Sequence, residues 1–175
     1  MTITTTLFER NRSFAKGFAG GELPILPKMR TVILTCVDAR VDPAYVLGLE
    51  LGDAVILRNN GGRVTQDVIE EIATLSFMVG LLEGGSDGSF EVVIMHHTQC
   101  GAERFADPAF QGALKEKLGI DVSAHAISDP TDSIKDDIQR LRDAPQVPEH
   151  LTVSGLLYDV KSGNLKEVVS AATLG

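Results

Sequence analysis

Three short apolar runs restrict this chain more than any other feature. They are "TVILTC" (31–36), "DAVILR" (53–58) and "EVVIMH" (91–96). Each is rich in β-branched residues and continuous rather than alternating. That pattern predicts strands buried on both faces in a mostly parallel sheet. A fourth strand is predicted within "LTVSGLLYDV" (151–160). Between the second and third runs, Val68, Ile69, Ile72, Leu75, Phe77, Met78 and Leu82 recur near helical spacing, with Thr65 placed to cap the start. A second helix is predicted in "DPTDSIKDDIQRLRDAP", opened near Asp132 or Ser133 and stopped by Pro145. Its thin stripe of Ile134, Ile138 and Leu141 leaves the charges on a solvated face. Strands alternating with helices define an α/β fold: a central, mostly parallel sheet flanked by helices. "EGGSDGS" (83–89) reads as a connecting turn. The segment 1–29 is predicted as a helical arm, with Leu7, Phe8, Phe14 and Phe18 as packing anchors.

The 175 residues fit one domain, and a net charge of −8 excludes nucleic acid and anionic membranes as natural partners. No apolar stretch reaches membrane-spanning length, and the first residues have no secretory signal core. The expected location is therefore the cytoplasm, where the two cysteines, Cys36 and Cys100, stay reduced.

In α/β folds, ligands gather beyond the carboxyl ends of the strands. Cys36 ends the first predicted strand, and Cys100 follows the third by four residues. Their separation in sequence excludes a C-x-x-C redox motif. His97 precedes Cys100 by three positions, a spacing that a tight turn can use to aim both side chains at one point. Two thiolates and one imidazole suit Zn2+ and leave a fourth position open. Two inert buried thiols, or a Cys36–Cys100 disulfide, are the competing readings. Asp38 and Arg40 lie two and four residues beyond Cys36. Arg40 can hold Asp38 ionised by a two-pronged contact, or Asp38 can close the metal site itself. "RNNGG" (58–62) ends the second strand; Gly61 and Gly62 permit close backbone approach, and Asn59 and Asn60 offer donors. His96 is expected to point away from its neighbour, and His125 and His150 read as surface histidines.

Taken together and in this order, "CVDARVDP", "RNNGG", "HHTQCG" and "GLLYDVKSGNL" resemble the β-class carbonic anhydrases, in particular their short bacterial branch. The resemblance runs over about residues 30 to 168. It implies a zinc lyase that interconverts carbon dioxide and bicarbonate. Cys36, His97 and Cys100 would be the metal ligands, Asp38 and Arg40 the catalytic dyad, and Asn60, Gly61 and Gly101 the substrate-binding residues. It also implies a homodimer or homotetramer in which the N-terminal helices cross the partner. Asn60 stands where the family more often has Ala, and Gln99 where the close branch has Asp. Both lie beside the pocket and bear on substrate choice. Carbonyl sulfide and carbon disulfide hydrolases share this scaffold and are the runner-up reading. A non-catalytic zinc protein is the reading from another class.

Overall fold

The computed structural model describes residues 2–85 and 88–175. Its core is a five-stranded sheet in the order β2-β1-β3-β4-β5. β1 (Thr31–Cys36) lies between β2 (Val55–Asn59) and β3 (Glu91–His97), parallel to both. β4 (Thr152–Tyr158) continues the parallel set, and β5 (Leu165–Thr173) closes the edge antiparallel to β4. All six residues of β1 are buried, as a central strand with continuous apolar character requires. β2 departs from the expectation. Ile56 is exposed and its other residues are only half-buried, because it forms the sheet's edge.

Helix α3 (Gln66–Glu83) packs Val68, Ile69, Ile72 and Val79 into the core with Leu34, Val92 and Ile94 of the sheet. Each such fully buried aliphatic side chain contributes roughly 1.5–3 kcal/mol. Phe77, Met78 and Leu82, expected on that face, are about half exposed instead. Thr65 occupies the N-cap position without a side-chain bond, and Gly84 ends the helix in the left-handed conformation. Part of the turn expected at 83–89 lies outside the described residues, at 86 and 87.

Helix α5 (Pro130–Asp143) begins earlier than expected, because Asp129 caps it by accepting from the Asp132 N–H. Ile134, Ile138 and Leu141 are buried, as the stripe requires. One charge breaks the expected solvated face: Asp137 has no exposure at all. Gly155 of β4 lets α5 approach this closely, since a Cβ there would lie 2.3 Å from the Ile134 side chain.

Three further elements carried no clear pattern in the sequence: α2 (Pro43–Val46), α4 (Pro108–Leu118) and strand β5. The N-terminal helix α1 (Ile3–Ala15) forms as expected, with Thr2 as its cap. None of its residues is buried, so Leu7, Phe8 and Phe14 do not anchor it to this chain's core. Among the described residues, no helix is long and apolar enough to cross a membrane.

The β4–β5 turn also reaches the far end of β3. The Thr98 hydroxyl donates to Asp159 at 3.0 Å, and the Lys161 N–H and Ser162 hydroxyl donate to the same carboxylate. These donors, the Lys161 N–H first, hold the Asp159 carboxyl below its ordinary range. Folding therefore gains from this charge above the ordinary carboxylate pKa of about 4, and the gain is lost as pH falls through the lowered value.

Two outcomes follow for stability. Gly155→Ala should cost about 1–3 kcal/mol in urea unfolding by forcing α5 from the sheet, and an undiminished midpoint would contradict this packing. Asp159→Asn should flatten the loss of stability as pH falls below the ordinary carboxylate pKa of about 4, read as urea midpoints across an acid pH series.

Candidate active site

Parallel pairing brings the carboxyl ends of β1 and β3 side by side. Thr35 pairs with Met95, so Cys36 and His97 emerge from adjacent strands at nearly the same level. After His97 the chain turns through Gln99, a non-glycine residue at φ 55, and presents Cys100 toward Cys36. The turn is secured by the Thr98 N–H, which donates to the Tyr158 carbonyl, and by the Thr98–Asp159 bond. Glu103 accepts the Cys100 N–H at 3.2 Å and opens a short 3-10 helix, Gly101–Ala106.

Among the described residues, one group of three potential metal-ligating side chains converges. The Cys36 and Cys100 sulfurs and one His97 ring nitrogen all lie within 4.8 Å of one another, and all three residues are buried. The two cysteines are free, with their sulfurs 3.8 Å apart. Two sulfurs each about 2.3 Å from a tetrahedral zinc would be separated by about 3.8 Å. His97 Nδ1 faces the Thr98 carbonyl at 3.0 Å, which makes Nδ1 the protonated nitrogen. Nε2 is then a lone-pair donor, and it is buried with no hydrogen-bond partner among the described residues. An orphaned imidazole lone pair aimed at two thiols fits a soft divalent cation.

The two thiols share their protons unequally. Cys36 is pushed down by the Cys100 thiol donating to it, helped by the backbone N–H groups of Asp38 and Gly61. Cys100 is pushed up by the thiolate beside it and by burial. A cation between them would replace the retained proton.

Asp38 and Arg40 stand at the rim. Arg40 donates from Nε to Asp38 Oδ1 at 3.0 Å and from Nη2 to Oδ2 at 2.6 Å. Its backbone N–H adds a third bond to Oδ1. Nη2 also bonds the Gln99 carbonyl at 3.1 Å, tying this pair to the Cys100 turn. Arg40's fork holds the Asp38 carboxyl well below the usual carboxylate range. Asp38 Oδ2 is 4.0 Å from His97 Nε2, beside the three converging side chains but engaged by Arg40. Arg58, which the motif reading did not single out, clamps the same loop by donating to the carbonyls of Cys36 and Asp38.

The pocket over this group has a volume of about 290 Å³. Cys36, Val37, Asp38, Asn60, Gly61, Gly101, Ala102 and Phe105 line it. All three residues expected to bind substrate, Asn60, Gly61 and Gly101, thus lie in its wall. The two glycines of "RNNGG" are required by the backbone, with φ of 83 at Gly61 and 67 at Gly62. A Cβ on Gly62 would sit 2.7 Å from the Thr35 carbonyl carbon and 2.8 Å from the Cys36 nitrogen. His96 points away from the group, as expected. His125 is only half exposed, and its Nδ1 lies 2.9 Å from the Asn60 carbonyl. His150 lies at the other end of the sheet, beside Gly88. Phe105 was not legible as a pocket residue; nothing in its spacing marks it.

Residues 31–141 match the family model described as carbonic anhydrase. The chain is 33% identical over 170 residues to beta-carbonic anhydrase 1 of Mycobacterium tuberculosis, covering 96% of this chain and 99% of that protein. It is 27% identical over 161 residues to the carbon disulfide hydrolase of Acidithiobacillus thiooxidans, covering 78% and 76%. Its fold superposes on the crystal structure of a carbonic anhydrase from Streptococcus mutans with a TM-score of 0.77, at 36% identity and coverage of 96% and 98%. With the fold, the motif order and nearly full-length similarity in agreement, the chain belongs to the β-carbonic anhydrase family.

Proposed function

We propose that this protein catalyses the reversible, zinc-dependent hydration of carbon dioxide to bicarbonate. Cys36, His97 and Cys100 are the proposed ligands, and Asp38 with Arg40 the proposed dyad. One observation carries this reading: the buried, unpartnered His97 Nε2 converges with two free thiols beside a carboxylate that an arginine keeps ionised. Zinc bound there would supply the Lewis acid that lowers the pKa of a water ligand from 15.7 toward about 7.

The remaining work falls to this chain's side chains. Arg40 takes both lone pairs on Asp38 Oδ1, through Nε and its backbone N–H, and one on Oδ2. Oδ2 keeps its second lone pair and can still accept a hydrogen bond from the reacting water and orient it. Because Arg40 holds Asp38 anionic, that acceptor is available throughout the neutral range. Val37, Ala102 and Phe105 give the pocket an apolar wall suited to a linear, uncharged substrate, and Asn60 and Gly61 complete its edge.

Carbonyl sulfide or carbon disulfide hydrolysis is the second reading. It is favoured by the similarity to a carbon disulfide hydrolase and by the apolar wall, which accepts sulfur as readily as oxygen. The working form is proposed to be a homodimer or homotetramer with residues 1–29 laid across a partner. The support is α1, which exposes Leu7, Phe8 and Phe14 and buries nothing on its own chain. A free helix of this length is marginal in water. The chain is read as a single domain, working in the cytoplasm, where its two free thiols remain reduced.

Zinc-loaded protein should accelerate carbon dioxide hydration in stopped-flow assays and release little sulfide from carbonyl sulfide; the opposite ranking selects the hydrolase. Cys36→Ser should lose bound zinc by elemental analysis, and full zinc content in that variant would defeat the ligand assignment. Asp38→Ala should keep zinc while hydration falls by roughly 100-fold, whereas an unaltered rate would remove Asp38 from the chemistry.

A further inference from the structure

A buried ionic cluster lies behind the strand that carries His97. Side chains alternate along β3, so His96 turns from the pocket toward α5. Its Nε2 donates to the Gly62 carbonyl at 3.2 Å and lies 3.2 Å from the Asp137 Oδ2 carboxylate oxygen. Arg63 donates from Nε to that same Oδ2 at 2.8 Å. Its Nη1 donates to the Ala126 carbonyl and lies 3.4 Å from the Ser133 hydroxyl. The Arg63 backbone is tied in both directions to the Asn59 side chain, at 2.9 and 2.8 Å. His96 and Asp137 are fully buried and Arg63 nearly so.

Such a cluster is a poor source of stability. Removing charges from water costs several kcal/mol per ion, and apolar residues of similar volume often do as well. Moreover, His96 Nδ1 and Asp137 Oδ1 lack hydrogen-bond partners among the described residues, with Arg140 no nearer to Oδ1 than 3.7 Å. What the cluster does have is a direction. It grips the Gly62 carbonyl, and Gly62 rests against the backbone of Thr35 and Cys36. The neighbouring Gly61 lines the pocket beside Cys36, and its N–H helps to hold that thiol's pKa down.

We infer that Asp137 is a positioning residue for the metal site: through Arg63 and His96 it holds the Gly61–Gly62 backbone against Cys36, and so sets the donor strength and lifetime of the Cys36–metal bond. An N–H directed at a thiolate withdraws charge from sulfur. If the Gly61–Gly62 backbone drifts, the sulfur donates more strongly while its geometry loosens. Partners of this kind, one step removed from the ligands, typically change metal affinity by about 10- to 100-fold.

The inference rests on the zinc reading, and the test separates the two. Full-length protein is loaded with Zn2+ or Co2+. Zinc release to a chromogenic chelator and the sulfur-to-cobalt charge-transfer band are then recorded. Asp137→Asn removes the charge at constant shape, His96→Leu removes the ring N–H, and His96→Gln restores a donor near the Nε2 position. Asp137→Asn and His96→Leu should release zinc about 10-fold faster and move the cobalt band to longer wavelength. His96→Gln should behave as wild type. Folded Asp137→Asn and His96→Leu proteins with wild-type release and band overturn the inference. So does a His96→Gln variant as impaired as His96→Leu, which would mean that the ring only fills space. If Asp137→Asn does not fold, the two His96 variants decide alone. Wild-type protein that takes up neither metal overturns the zinc reading and this inference together.

Discussion

The in-register parallel pairing of β1 with β3 is the constraint on which the rest of this molecule depends. It sets Cys36 and His97 side by side at the carboxyl edge of the sheet, although the two lie far apart in sequence. Parallel strands need buried crossovers, so the sheet must be apolar on both sides at its centre, and β1 is buried throughout. The rigidity of that centre holds two sulfurs 3.8 Å apart without a bond between them. A looser scaffold would let two adjacent thiols and an unpartnered imidazole drift apart or react.

Around this pair the chain uses its loops as struts. Arg58 clamps the segment after β1, Arg40 links that segment to the Gln99 carbonyl, and Thr98 ties the Cys100 turn to Asp159 beyond β4. Asn59 and Arg63 brace the Gly61–Gly62 backbone from the other side. The polar groups near the pocket are thereby anchored to the ends of at least three strands. Such preorganisation is what a reaction with a small, featureless substrate demands, since the substrate offers few contacts through which to order the site.

Much of the candidate site was readable from local spacing. Cys36, Asp38 and Arg40 fall within five residues, as do His97 and Cys100, and a turn of that length leaves few ways to aim them. The edge elements were harder. β2 resembles a buried strand, yet forms an edge, because neighbour count is not written in a strand's own residues. Phe77, Met78 and Leu82 carry helical periodicity but extend past the width of the core that this chain supplies. α4 and β5 gave no signal, since most of their residues are exposed and neither needs a sustained apolar stripe.

Asp137 marks the boundary most clearly. In sequence it is one acid among several on a charged helix, and solvation is the sensible reading. Only the fold reveals that it faces His96 and Arg63 from two other segments, at 3.2 and 2.8 Å and fully buried. The sequence by itself determined the α/β class, the buried centre of the sheet and the residue types at the site, because periodicity and short-range spacing are local properties. The tertiary structure alone decided which lone pair on His97 stays free, which oxygen of Asp38 Arg40 leaves available, and which charge is buried. Those depend on contacts between segments tens of residues apart, whose geometry is set by packing rather than by any local pattern.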